Sequence, residues 1–277
     1  MAKRALCIGI NDYPGTGMDL RGCVNDADDW ATTLTARGYA VNRLVDRRAT
    51  KAAMKSALRK LVKAAKAGDS LVITFSGHGT YQPDTNDDEA DGYDEGLCPW
   101  DLTSKGALTD DEIHALFLPL HRDARLVLIS DSCHSGTVTR AAPADVDAEG
   151  PRPRFMPMGN WLPEAALPQA RGGGPARIVT APGDVSAFKG VVASRPGDLL
   201  IAGCREGPNN YSYDASFRGR PNGAFTYYAL KTLAALPATA TYADWHRRIC
   251  EHLPSASFPQ SPQIVGAVAV KKRRVFA

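Results

Sequence analysis

The sequence predicts an α/β fold, a mostly parallel central sheet with helices on both faces. Three observations lead there. Residues 5–10, 71–75, 126–130 and 199–202 are continuous apolar runs of the length expected for strands buried on both faces. Helical patterns of apolar and polar residues separate them. The resulting strand–helix alternation is the pattern of parallel strands joined by crossovers.

Each element has its own local reason. A helix over 27–36 follows Asn25 and Asp26, either of which could cap it. Arg37-Gly38 stops it, and a weaker strand covers 39–45. Residues 51–66 set Met54, Leu58, Leu61, Val62 and Ala65 on one stripe, with lysines opposite. A helix over 110–118 opens after Thr109, a good N-cap followed by acidic residues. Residues 140–197 break the rhythm, holding nine of the 19 prolines and the run Gly172-Gly173-Gly174; loops of that length are usually functional or mobile. Order resumes at Asp198 with the strand 199–202, helices over 224–235 and 242–252, and a last strand over 263–270. There is no internal repeat. One domain over 1–277 is expected. Within it, residues 1–139 make the larger portion, 140–197 a Pro/Gly-rich surface insertion, and 198–277 the smaller portion.

Composition bounds the function. The 277 residues, 44% hydrophobic and 23% charged, suffice for a core without metal or disulfide staples. A net charge of +3 is too mild to argue for nucleic acid, and the dense run Lys271-Lys272-Arg273-Arg274 reads as a solvated strand end. No apolar run approaches the ~20 residues of a membrane span, and the apolar run 5–10 is too short for a signal-peptide core. A cytoplasmic chain with neither nucleic-acid nor membrane partners is expected. Six cysteines (7, 23, 98, 133, 204, 250) are scattered with no CxxC pair, as reduced thiols would be.

Two strand ends carry chemistry. The strand 71–75 runs into Ser76-Gly77-His78-Gly79, and 126–130 runs into Asp131-Ser132-Cys133-His134-Ser135-Gly136. Ligands of open parallel sheets bind beyond the carboxyl ends of the strands, where both motifs fall. A thiol and an imidazole from neighbouring strand ends can form a nucleophile–base pair for acyl transfer. Gly77 and Gly79 let backbone approach a substrate, and the N–H groups of Gly79 and Cys133 are natural oxyanion donors. Period-two geometry points Ser76 and His78 to one side and Asp131 and Cys133 to one side, so a carboxylate stands beside the thiol to meet a substrate cation. His134 is expected to point away and serve packing. Adjacent Cys133 and His134 without a partner pair do not resemble zinc spacing.

These two motifs resemble the catalytic motifs of metacaspases, the caspase-like cysteine peptidases of family C14. The separation of His78 and Cys133 fits the caspase-type spacing of about fifty residues, although the local Cys motif differs from that of animal caspases. Further matches are Gly22-Cys23-Val24-Asn25-Asp26-Ala27, Asp91-Gly92-Tyr93-Asp94-Glu95, Leu108-Thr109-Asp110-Asp111-Glu112 and Gly223-Ala224-Phe225-Thr226-Tyr227, which together span nearly the whole chain. The resemblance implies a caspase–haemoglobinase fold, with residues 1–139 large-subunit-like and residues 198–277 small-subunit-like. It implies Cys133 as nucleophile, His78 as base and later acid, and Gly79 as an oxyanion N–H donor. Cys23, Asp26, Ser76 and Asp131 then line the S1 pocket, and two carboxylates there favour Arg or Lys at P1. A helix cap is the bland alternative for Asp26.

No cofactor is needed for such chemistry. The resemblance makes Ca²⁺ an activator at Asp94, Asp110 and Asp111, three of four ligand positions, but the fourth is Arg140, a cation that weakens or abolishes the site. Residues 84–95 could equally be a solvated acidic loop, and Asp110-Asp111 a favourable first helical turn. Self-cleavage in the insertion after Arg140, Arg152, Arg154, Arg171 or Arg177 is a further expectation. Residues 207–223 should wall the substrate groove, and Cys204 and Cys250 read as core thiols. The expected protein is a monomeric endopeptidase acting on proteins or peptides with a basic P1. The alternatives are another Cys–His peptidase or acyl hydrolase of the same fold, or a caspase-like interaction module without catalysis.

Overall fold

The structure, a computed structural model, describes residues 1–84, 92–133, 150–167, 188–205 and 210–277. The chain begins with β1 (Lys3–Gly9), α1 (Cys23–Thr35), β2 (Ala40–Val45), α2 (Lys51–Ala64) and β3 (Ser70–Ser76). Then come β4 (Gly79–Pro83), β5 (Tyr93–Leu97), α3 (Leu102–Lys105), β6 (Leu108–Thr109), α4 (Asp110–Phe117) and β7 (Arg125–Asp131). The remainder gives β8 (Arg152–Pro153), α5 (Lys189–Ser194), β9 (Leu199–Ala202), β10 (Tyr213–Phe217), β11 (Arg220–Gly223), α6 (Ala224–Ala234), α7 (Tyr242–Cys250), β12 (Gln263–Val265) and α8 (Val268–Lys271).

Among the described residues the central sheet runs β12-β9-β7-β3-β1-β2, parallel except for β12. Its central strands send alternate residues to opposite faces, as the two-residue period requires. Leu6, Ile8, Leu71, Ile73, Phe75, Leu126 and Leu128 join one apolar core with residues of α2 and α4. Ala5, Cys7, Val72, Val127 and Ile129 join the other, with α1, α6 and α7. The expected α/β architecture is therefore present, with a core on each side of the sheet. Two small antiparallel sheets, β4-β5-β6 and β11-β10-β8, lie outside it. Among the described residues no helix is long and apolar enough to cross a membrane.

Four local expectations need correction. Cys204 and Cys250 are not core thiols: the first is half-buried and the second, at the end of α7, is exposed. Helix α1 starts at Cys23, four residues early, so neither Asn25 nor Asp26 caps it. The side-chain oxygen of Asn11 accepts from the N–H groups of Cys23 (2.8 Å) and Val24 (3.3 Å), a capping service delivered from a remote loop that frees Asp26 for other work. The last strand ends at Val265 because Gly266 turns the chain at φ +146°, and Val268–Lys271 coil into α8. The basic run is thus no strand end; Arg273 donates to the Gly197 carbonyl at 2.8 Å. Nor is the insertion purely superficial. Met156, Trp161, Phe188, Val191 and Val192 are buried in the first core, and Arg154 is 0% exposed.

Candidate active site

Strands β3 and β7 pair in register so that Ser76 faces Asp131, and the chains leaving them carry His78 and Cys133. Both residues are 1% exposed. Gly77 is required here: a Cβ would stand 2.6 Å from the Tyr13 hydroxyl, which accepts the His78 N–H at 2.8 Å. The Tyr13 ring also tilts against the imidazole, 4.8 Å between centroids.

The imidazole is held in one tautomer. Nε2 lies 2.6 Å from the Met18 carbonyl, which can only accept, so Nε2 carries the proton and Nδ1 keeps its lone pair. Nδ1 is buried and has no hydrogen-bond partner among the described residues. Burial pulls the imidazole down to about 4, outweighing the Met18 carbonyl, so the ring is neutral at ordinary pH. Burial likewise pushes the Cys133 thiol well up, and the neighbouring Cys204 adds to it. The Cys133 sulfur accepts from the Ser212 N–H at 2.5 Å and lies 3.4 Å from the Cys204 sulfur. The resting pair is therefore thiol and neutral imidazole.

A segment of the chain's own insertion crosses these groups. Strand β8 pairs antiparallel with β10, Pro153 opposite Tyr213, and the Arg154 N–H donates to the Ser212 carbonyl at 2.8 Å. The Arg154 carbonyl accepts from the N–H groups of both Gly79 and Cys133, each at 3.1 Å. The Met156 N–H then donates to the Gly79 carbonyl at 2.8 Å. An extended strand is thus added across the strand ends, its Arg154 carbonyl pinned by two amides that point at one oxygen.

The Arg154 side chain enters an acidic pocket. Nη2 reaches Asp26 at 2.7 Å and Asp214 at 2.9 Å, and Nη1 reaches Asp131 at 3.1 Å. Each carboxylate is oriented by other groups. Asp26 accepts from the Asn222 side chain (2.9 Å) and the Gly223 N–H (3.0 Å). Asp131 takes the Thr226 N–H and hydroxyl at 2.9 and 2.7 Å. Asp214 takes the N–H groups of Arg21 and Gly22, both at 2.9 Å. Burial pushes the Asp26 carboxyl up to about 6, against the opposing pull of Arg154. Burial disfavours the Arg154 charge too, but the surrounding Asp131, Asp26 and Asp214 outweigh it and hold the guanidinium protonated. Gly223 forms the floor: a Cβ there would collide with Asp131 Oδ2 and sit 2.5 Å from Arg154 Nη1.

The structure brings His78, Cys133, Gly79, Asp26 and Asp131 together, with Cys23 and Ser76 buried at the margin; the Cys23 sulfur lies 4.0 Å from Asp214. Asp214 and Ser212 were missed by sequence reasoning. The signal for Asp214 is present: it is the sole acidic residue between Glu206 and Asp244, in the segment expected to wall the groove.

The expected calcium residues behave differently. Asp94 lies in β5, and Asp110 and Asp111 open α4 behind the capping box of Thr109 and Glu112. The β5–β6 register, Gly96 opposite Thr109, carries Asp94 toward that turn. Among the described residues no group of three or more His, Cys, Asp or Glu is placed to share a metal ion. Arg140, the fourth expected position, lies outside the described residues, as do His134, Arg171 and Arg177.

Residues 3–142 match the family model for the metacaspase, peptidase C14 domain. Metacaspase-1 of Mycosarcoma maydis is 33% identical over 285 residues, covering 95% of this chain and 69% of that protein. Metacaspase-1 of Cryptococcus neoformans var. neoformans is also 33% identical, over 95% of this chain and 62% of its own length. Metacaspase-3 of Arabidopsis thaliana is 40% identical over 147 residues, 49% of this chain and 40% of its own. The chain therefore spans between two-fifths and about two-thirds of these relatives. Among solved structures, protein GSU0716 from Geobacter sulfurreducens superposes with a TM-score of 0.70 at 28% identity, covering 100% of this chain and 98% of that one.

Proposed function

This chain belongs to the metacaspase family of C14 cysteine peptidases, and from that premise we propose that it is an endopeptidase cleaving after arginine or lysine, its own Arg154–Phe155 bond included. One observation carries the reading. The Arg154 carbonyl accepts from Gly79 and Cys133 while its guanidinium meets Asp26, Asp131 and Asp214, which is how a peptidase holds the residue ahead of the bond it breaks. Arginine suits this pocket because its two terminal nitrogens answer separate carboxylates; lysine can answer only one point. All these groups come from one chain, so the reading needs no second copy.

The chemistry follows from the tautomer. The Cys133 thiol turns from Ser212 toward His78 and gives its proton to Nδ1 as the sulfur attacks the Arg154 carbonyl carbon. The Gly79 and Cys133 amides hold the negative oxygen that forms. Collapse breaks the carbon–nitrogen bond; the Nδ1 proton goes to the departing Phe155 amine, leaving a thioester. His78 then deprotonates water to hydrolyse that thioester. Calcium supplies no step. Its proposed role is modulation through Asp94, Asp110 and Asp111, on structure that packs beside β4, whose first residue is Gly79.

The test is intact-mass analysis of purified wild type beside Cys133→Ala. The expected wild-type fragments end at Arg154 and begin at Phe155, and the variant stays whole. Turnover of Arg-terminated fluorogenic peptides falls on the order of 10³-fold or more in the variant. Cleavage by Cys133→Ala, or preference for Asp over Arg, would overturn the reading.

A further inference from the structure

The strand that carries Arg154 does not end there, and the next residue has a place of its own. Phe155 is 2% exposed, yet it belongs to neither apolar core of the sheet. Its ring stacks on Tyr81, centroids 5.7 Å apart and planes at 22°, and tilts against Tyr211 at 6.4 Å. Tyr93 meets the far side of this group, edge-on to Tyr81 at 5.3 Å. Tyr81 and Tyr93 come from the paired strands β4 and β5, and Tyr211 precedes β10. Both walls of the cleft therefore contribute a ring.

Backbone geometry fixes what reaches these rings. Phe155 bridges in parallel to Gly79, and the Met156 N–H bonds the Gly79 carbonyl. Gly79 is also one of the two donors to the Arg154 carbonyl. A peptide whose carbonyl occupies that point is thus held by the same residue on both sides of the bond, which aims its next side chain at Tyr81. Flat aromatic faces at this spacing favour an aromatic guest over an aliphatic one of equal size.

We propose that Tyr81 and Tyr211, backed by Tyr93, form a prime-side subsite that accepts an aromatic residue immediately after the cleaved basic residue. The proposal rests on reading Arg154–Phe155 as a substrate-like strand. It narrows the substrate class from a basic residue to a basic–aromatic pair, for which the chain's own Arg154-Phe155 is the template.

The experiment uses the full-length protein with internally quenched peptides that keep Arg before the bond and vary the next residue among Phe, Leu and Ala. A peptidyl-Arg aminocoumarin, with no residue after the bond, runs beside them. Wild type should cleave the Phe peptide roughly tenfold faster than the Ala peptide in kcat/KM. Each variant is read by its own Phe-to-Ala ratio, which folding losses do not alter. Tyr81→Ala should bring the ratio to within about twofold of unity, and Tyr81→Phe should keep it. Tyr211→Ala, a ring from the opposite wall, should lower it independently. A wild-type ratio near one, or a ratio unchanged in both alanine variants, overturns the subsite while leaving the basic preference standing. No hydrolysis of the Arg aminocoumarin by wild type overturns both.

Discussion

Two acidic regions of this molecule look alike in composition and differ in what their carboxylates do. Asp110 and Asp111 are adjacent, with Glu112 next and Asp94 on a neighbouring strand, yet no three described His, Cys, Asp or Glu side chains there are placed to share one ion. Much of that acidity serves the helix: Glu112 completes the capping box and pairs with Lys51 and Lys55 at 2.8 and 2.7 Å. Asp26, Asp131 and Asp214 are about a hundred residues apart in sequence and converge on one buried guanidinium. They come from the start of α1, the end of β7 and β10, three elements whose ends meet at one edge of the sheet. Convergence needs elements that end together, each carboxylate oriented by its own donors, and a cation to meet the cost of burial. Sequence density supplies none of these.

Substitution exposes the contrast most strongly. Asp26→Asn and Asp214→Asn should each lower kcat/KM on Arg peptides by about 10- to 100-fold, the worth of a charge-assisted bond in a buried site. Measured with chelator present, Asp94→Asn and Asp111→Asn should stay within about twofold of wild type, because neither carboxylate meets the guanidinium. A loss in the second pair equal to that in the first would erase the distinction.

Acid titration gives the next effect. Burial raises Asp26 to about 6, so it holds its proton further up the pH scale and presents a charge to arginine only above that value. His78, pulled down to about 4 by burial, remains a competent base throughout that range. In the pH profile of kcat/KM on Arg peptides, activity should fall about tenfold per unit below a limb at about 6 or above. In Asp26→Asn the residual activity should keep its level down toward about 4. A limb that stays in place in that variant belongs to some other group.

Calcium produces the smallest expected change. Added Ca²⁺ should raise the activity of chelated wild type a few-fold, roughly, and Asp94→Asn should lose that response, since hard oxygen ligands are what the ion requires. Turnover indifferent to both chelator and Ca²⁺ removes the ion from the account.

Much of this arrangement was legible in the chain because it is local. Continuous apolar strands, Gly-flanked turns after two of them, and residues of alternate parity put His78, Cys133, Gly79 and Asp131 where they are found. Long-range service was not legible. Asn11 caps α1 from twelve residues upstream, so Asp26 is not needed at the cap and serves the pocket. Asp214 sits in a stretch of Gly, Asn and aromatic residues with no periodicity, and β10 exists because β8 and β11 pair with it. Arg154 was one of five candidate arginines in a region read as surface. Nothing in its own neighbours, Pro153 and Phe155, says that this guanidinium will be fully buried, the most deeply buried cation among the described residues. Only the three acids that meet it do.

The strand that fills the cleft has a kinetic meaning. If the cleft is the proposed substrate site, that strand is a competitor on a tether, and competitors on short tethers act at effective concentrations in the millimolar range. A free peptide succeeds only during the fraction of time in which that strand has left, so its apparent affinity is weakened by the same fraction. Diluting the enzyme does not relieve this competition, since tether and site dilute together. The proposed cut between Arg154 and Phe155 would: it would convert a resident held at both ends into one held at a single end, free to leave.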